Sequence, residues 1–172
     1  MAKKIDKAVF DTGPLIHLNE VELLRVLKLF KLIFITGEVV EELSKNRALY
    51  AEVKQVMNIK PLQLKSMYKD MSKLLIEKYG IDFAESSSIA LSIQEKTGLF
   101  ITDDLDARTV AKSFNIEVHG TVGLIARAYR ENLISEDMAI GKIKELHEKS
   151  SLFITKDLVE WIIEDIKSYK GK

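Results

Sequence analysis

Asp11 follows the short apolar run Ala8-Val9-Phe10, and Asp103-Asp104 follow a similar run, Leu99-Phe100-Ile101, with Asp106 in the same turn. Glu41 and Glu42 stand shortly after another such run, Leu32-Ile33-Phe34-Ile35, and Glu85 lies in the segment that leads to Leu99. Carboxylates that recur beyond strand-length apolar runs are candidates for one shared site. Gathering them is unfavourable, because two unit charges about 4 Å apart repel by roughly 4 kcal/mol at an effective dielectric near 20. Several together would erode a fold whose whole stability is about 5–15 kcal/mol. A bound cation makes such a cluster tolerable. The chain has no cysteine, and none of His17, His119 and His147 has a neighbour at metal-ligand spacing. Oxygen donors alone select Mg²⁺ or Mn²⁺ over zinc. Such an ion activates water and stabilises charge on a phosphoryl group, so phosphodiester hydrolysis is the reaction class.

Each of these residues also has a plainer role available. Asp11 can open an Asx-turn ahead of Gly13-Pro14. Glu85 stands three residues after Asp82, the spacing of a helix capping box. Asp103, Asp104 and Asp106 sit where acidic residues favour a helix dipole, and Glu41 and Glu42 fit a solvated helix face. It is their recurrence at strand ends that favours the joint reading as a metal site. Ser86, Ser87 and Ser88 have no histidine near them in a nucleophile motif, so they read as small residues that let a helix approach a sheet.

The elements that must position these groups alternate in kind. Ala8-Val9-Phe10, Leu32–Ile35, Leu99–Ile101 and Ile116–Val118 are strand-length apolar runs, separated by longer stretches with helical periodicity. Asn19 with Glu22 predicts a capping box opening a helix through Leu23, Val26, Leu27 and Phe30. Thr36-Gly37 turns into a helix with Val39, Val40 and Leu43 inward, and Asp82 with Glu85 opens another. The stretch Arg47–Tyr79 reads as two helices around a break at Pro61. Tyr50, Met57, Met67, Tyr68 and Met71 within it read as packing residues rather than a base-stacking platform. A helix spans about Leu105 to Phe114, and Gly120 introduces one through Val122, Ile125 and Ala128. From about Ser135 the pattern predicts two more helices, with Trp161 packing inward. Continuous apolar strands alternating with helices indicate an α/β fold, a parallel sheet of four to five strands covered by helices on both faces. Ligands in such sheets bind beyond the carboxyl ends of the strands, where strand order reverses.

Four segments in this order resemble the motifs of PIN domains. They are Val9-Phe10-Asp11-Thr12-Gly13-Pro14-Leu15-Ile16, Val39-Val40-Glu41-Glu42-Leu43, Glu85-Ser86-Ser87-Ser88-Ile89-Ala90-Leu91 and Ile101-Thr102-Asp103-Asp104-Leu105-Asp106. The resemblance covers roughly residues 7 to 125, and Gly120-Thr121-Val122-Gly123-Leu124 followed by two helices resembles a prokaryotic, VapC-related branch. It implies a flavodoxin-like fold and a metal-dependent ribonuclease, often the toxin of a toxin–antitoxin pair, with an antitoxin protein as partner and a homodimer as the common assembly. Carried over residue by residue, Asp11 and Asp104 would be the main metal ligands, Glu42 and Glu85 would hold the metals or their waters, and Asp106 would complete a second site. Thr12 and Thr102 would hydrogen-bond the carboxylates, with Asp103 in support. Glu42 is preferred to Glu41 on geometry too, since at 100° per residue it borders the inward face of Val39, Val40 and Leu43. Arg108 and Lys112, one helical turn apart just after the last motif, are candidate phosphate contacts.

The 172 residues fit one domain, read as a PIN-like nuclease unit over residues 1–134 with a helical extension, residues 135–172, packed on it. Lys and Arg number 26 and Asp and Glu 26, so no global basic excess recruits nucleic acid, and an RNA substrate would need a local patch. No apolar run approaches the roughly 20 residues that span a bilayer, and the charged stretch Met1–Lys7 leads into only a short apolar run, where a signal peptide would need a longer one and a small-residue cleavage site. A cytoplasmic protein is expected. The alternatives to a ribonuclease are a non-catalytic PIN-like module that binds RNA or protein, and a nuclease acting on DNA. All four acidic positions are filled, which favours an enzyme.

Overall fold

The structure is a computed structural model and describes residues 5–169; residues 1–4 and 170–172 of the two expected regions lie outside it. The chain runs β1 (Ile5–Phe10), α1 (Thr12–Glu20), a 3-10 helix (Leu24–Leu29), β2 (Phe30–Ile35), α2 (Gly37–Ser44), α3 (Arg47–Lys54) and β3 (Ile59–Pro61). It continues through α4 (Ser66–Tyr79), α5 (Phe83–Glu95), β4 (Leu99–Ile101), α6 (Leu105–Ser113), β5 (Glu117–His119), α7 (Thr121–Arg130), α8 (Glu136–Lys149) and α9 (Lys156–Ser168). The five strands form one parallel sheet in the order β3-β2-β1-β4-β5. The first three strands step outward in one direction, and the chain then returns to place β4 on the other side of β1. The reversal opens a crevice at the carboxyl ends of β1 and β4.

Side chains alternate across the sheet with the strand period of two. Ala8 and Phe10 of β1, Ile33 and Ile35 of β2, and Leu99 and Ile101 of β4 enter one core, which α1, α2, α3, α7, α8 and α9 complete. Val9, Phe34 and Phe100 enter the other, against Leu75 of α4, Ile89 of α5 and Val110 of α6. Phe10 meets Phe30 edge-on, with ring centroids 5.1 Å apart. Ala139, Ile143 and Leu146 of α8 and Val159, Ile162 and Ile166 of α9 belong to the first core. Ser86, Ser87 and Ser88 are fully buried, and their small volume lets α5 lie close to the sheet.

Several expectations are corrected by local geometry. The helix predicted to open at Asn19 opens instead at Thr12, capped by Asp11, and Pro14 sits in its first turn where a missing N–H is harmless. Glu22 has φ +53, so it ends this stretch in the left-handed region and no capping box forms; Leu24–Leu29 is 3-10. Pro61 does not merely break two helices. It closes the short strand β3 at the sheet edge, where its missing donor is tolerated. Met57 is 97% exposed and Met67 is also exposed, so neither is a packing residue. Trp161 is 61% exposed rather than inward, because α9 turns Val159, Ile162 and Ile166 to the core and leaves Trp161 on another face. Among the described residues no helix is long and apolar enough to cross a membrane.

Candidate active site

Asp11 stands where β1 becomes α1. Its N–H donates to Ile101 O at 2.9 Å, tying it to the end of β4. One carboxylate oxygen caps α1 by accepting from Thr12 N at 2.8 Å, and the other accepts from Thr102 Oγ1 at 2.9 Å. Asp11 is only 7% exposed, and burial pushes its carboxyl up to about 6 against the pull of these two donors. The charges of Asp82 and Glu42 add to the rise.

The neighbouring carboxylates come from three further helix starts or faces. Thr36 caps α2, whose inward face buries Val39 and Leu43 and leaves Glu42 half-buried, while Glu41 is exposed. Thr12 Oγ1 donates to Glu42 Oε2 at 2.5 Å. Asp104 caps α6 through Ala107 N at 2.8 Å, and its own N–H donates to Thr102 Oγ1 at 3.2 Å. Thr102 therefore links the Asp11 carboxylate to the backbone of Asp104. Glu85 and Asp82 form the expected capping box at the start of α5, with bonds of 3.0 and 2.8 Å. Burial, followed by repulsion from Asp82, Asp104 and Asp11, raises the Glu85 carboxyl to about 7, although the Asp82 N–H opposes this.

Asp103 has a different task. His17 Nδ1 donates to its Oδ2 at 2.7 Å, Thr121 Oγ1 to the same oxygen at 2.5 Å, and Thr121 N to Oδ1 at 2.7 Å. Gly120, at the N-cap of α7, has no side chain to cap that helix, and Asp103 does so from outside. A Cβ on Gly120 would lie 2.6 Å from Asp103 Oδ1, so only glycine admits this approach.

Asp11, Thr12, Glu42, Glu85, Asp103 and Asp104 line one open cleft of about 370 Å³, together with Asp82 and His17. Thr102 is buried behind Asp11. Asp106 is exposed in the first turn of α6 and does not line the cleft, and Lys112 lies a further turn and a half along that helix, also exposed. Arg108 lines an adjoining groove. Sequence reasoning gave Asp82 only a capping role and gave His17 no partner. The capping box was the signal for Asp82, whereas His17 and Asp103 are 86 residues apart and carry no local signal. A larger cavity of about 550 Å³, beside Phe30 and Asn58 at the start of β2, lacks any such cluster, so size does not select the site.

Six carboxylates line the cleft, and His17 is engaged with one of them, Asp103; this oxygen-rich set suits a hard divalent cation. No Lys or Arg salt bridge reaches Asp11, Glu42, Glu85 or Asp104 among the described residues. Their charge is thus left for a cation to offset. No three His, Asp or Glu side chains among the described residues yet stand close enough to hold an ion as they lie. Closing a ligand shell requires side-chain rotation about backbones that the strand ends and helix caps fix.

A family model described as a PIN domain (DUF3368) matches residues 7–168, from within β1 to the end of α9. PIN domains are generally nucleases and typically depend on a divalent metal. No curated protein gives a significant sequence match. The match takes in every strand and helix, including α8 and α9, and the acidic cleft lies at the strand ends where this topology places a ligand. The chain belongs to the PIN-domain family.

Proposed function

We propose that the protein is a metal-dependent endoribonuclease that hydrolyses RNA phosphodiester bonds at the cleft between β1 and β4. The observation that carries this reading is the convergence of Asp11, Glu42, Glu85 and Asp104 on one cleft with no Lys or Arg salt bridge to any of them among the described residues. Asp11 and Asp104, at the ends of the two central strands, are the principal candidates to hold Mg²⁺ or Mn²⁺, with Glu42 and Glu85 holding the ion or its waters. When bound, such an ion supplies a more acidic water and positive charge beside the phosphoryl oxygens.

The remaining residues orient these groups. Thr12 and Thr102 fix the rotamers of Glu42 and Asp11 by donating to their oxygens. His17 and Thr121 hold Asp103, and through it the turn that presents Asp104. Glu85 lines the same cleft and is placed to orient the attacking water through its carboxylate. Arg108 is the candidate phosphate contact, with Lys112 farther along the same helix. Asp106 faces solvent, and we assign it no ligand role in this arrangement. The VapC-like tail motif supports a toxin-like role in the cytoplasm, with an antitoxin protein holding the activity off and a homodimer as the working assembly.

The test is cleavage of a labelled single-stranded RNA by wild type and Asp104→Asn, with Mn²⁺, Mg²⁺ or EDTA. An Asn keeps the cap on α6 while removing the charge. Metal-dependent cutting that falls at least 100-fold in the variant is expected. Equal cutting by both proteins would refute the site. Binding without cutting by either would establish instead a non-catalytic RNA-binding module, and preferential cutting of a matched DNA strand would make the substrate DNA.

A further inference from the structure

Beside the acidic cleft runs a second groove of about 410 Å³, and the two share Asp103, Leu152 and Phe153 as walls. Its surface gathers several exposed apolar side chains, since Phe153 is 89% and Trp161 61% exposed, and Leu105 and Leu158 are also exposed. Arg108 lines the same groove and carries no salt bridge among the described residues.

Neither aromatic is exposed through looseness. The α8–α9 connection is tied down at both ends. Glu20 of α1 accepts from Ser151 N at 2.9 Å and Ser151 Oγ at 3.1 Å, and His147 Nδ1 donates to Ile154 O at 3.0 Å. Ile154 is buried and Leu152 half-buried, so the alternation of an extended segment turns Phe153 outward between them. On α9, Leu158 and Trp161 are three residues apart and share a face, while Val159, Ile162 and Ile166 turn the adjacent face to the core. Fixed backbones thus present two aromatic rings to solvent at the lip of a nuclease cleft.

We propose that this groove is a base-stacking platform for single-stranded nucleic acid, with Phe153 and Trp161 receiving bases adjacent to the phosphate that Arg108 and the acidic cleft engage. The inference rests on the nuclease reading of that cleft and adds to it where the bases that flank the engaged phosphate sit. The charge balance is what favours bases over backbone alone. With 26 basic and 26 acidic residues the chain has no overall basic excess, so phosphate contacts rest on local cations such as Arg108, and stacking adds binding that needs no net charge. A paired duplex keeps its base faces covered, so the platform selects against it.

Trp161 is the only tryptophan, so its fluorescence reports on this groove alone. The experiment titrates a 12-nucleotide RNA into wild-type protein in EDTA, where no cutting occurs, alongside a DNA strand of the same sequence, an abasic strand of equal charge and a duplex. Phe153→Ala and Trp161→Ala are followed by anisotropy of a labelled strand, and light scattering reports oligomeric state. The expected result is quenching by the single strands, at least 10-fold weaker binding of the abasic strand and duplex, and about 10-fold loss in each variant with the salt slope unchanged. Equal affinity for the abasic strand, or unchanged binding in Phe153→Ala, would overturn the proposal. So would a dimer that either variant dissociates, which would make the groove a contact between copies of the chain. Stronger binding of RNA than DNA, or the reverse, identifies the strand without touching the platform. Hydrolysis of bis(p-nitrophenyl) phosphate with Mn²⁺ separates the two readings. Its loss in wild type refutes the nuclease, whereas its persistence with no quenching by any strand refutes the platform.

Discussion

Replacing Asp11 by Asn should stabilise the metal-free protein at neutral pH. Asp11 is 7% exposed, and its carboxyl is raised from the ordinary 3.8 to about 6. A difference of about 2 pH units corresponds to about 3 kcal/mol between the ionised and protonated forms in the fold. Because the folded state holds this proton more tightly than the unfolded chain, stability is full below about pH 4, falls as pH rises towards 6, and stays reduced above it. Asn imitates the protonated form. Its oxygen still accepts from Thr12 N, but the Thr102 hydroxyl must turn to receive its amide, so about 2 kcal/mol of the 3 should be recovered. For a domain of this size that is a rise of roughly 4–8 °C in Tm at pH 8 in EDTA, and little change at pH 4.5. Thermal melts across that range, with EDTA or with excess Mn²⁺, supply the check. Mn²⁺ should reverse the order, since a ligand at 100 times its Kd adds about 2.7 kcal/mol to the protein that binds it. An Asn variant less stable than wild type at pH 8 in EDTA, or a difference that does not vary with pH, would refute the account.

Three other outcomes follow from the same geometry. Asp82→Asn keeps the cap on α5 but removes the charge that repels Glu85, so the Glu85 carboxyl should titrate below its present value of about 7, as side-chain ¹³C NMR would read. Gly120→Ala places a carbon 2.6 Å from Asp103 Oδ1 and should cost about 2 kcal/mol in urea denaturation, because that carboxylate must leave Thr121 N or α7 must shift. Phe10→Ala empties a fully buried site packed edge-on against Phe30, and a loss of about 3–5 kcal/mol in the same assay is expected.

The parts of this molecule that its sequence made legible are those written locally. Central strands announced themselves as continuous apolar runs because helices cover both their faces, and the turn from strand to helix put Asp11 and Asp104 at their carboxyl ends. The Asp82–Glu85 box was legible because its two bonds span three residues. What stayed hidden depends on distant partners. Three-residue β3 exists only because β2 offers it an edge, and Pro61 disguised it. His17 gains its meaning from Asp103. Asn19 and Glu22 matched a capping pattern, but Asp11 had already started the helix eight residues earlier. Trp161 looked like core by residue type, whereas the spacing of Val159, Ile162 and Ile166 decides which face of α9 is inside. The motif puts Asp106 beside Asp104, but Asp104 lines the cleft as the cap of α6 while Asp106, two residues on, is exposed and does not line it.

The position of β4 between β1 and β5 sets the order in which the protein can become competent. Asp11 and Glu42 leave the ribosome early, with β1, β2 and β3 already able to pair. The opposite edge of β1 then stays open until residues 99–101 arrive to fill it. Until that late insertion, the nascent chain lacks Asp104, the last of its four cleft carboxylates, and exposes an apolar strand edge of the kind that pairs with neighbouring chains. Translation products that stop before β4 would therefore be both inert and prone to aggregate. A chain divided in the connection between β3 and α4 would give two silent fragments whose reassociation restores the cleft in a single step.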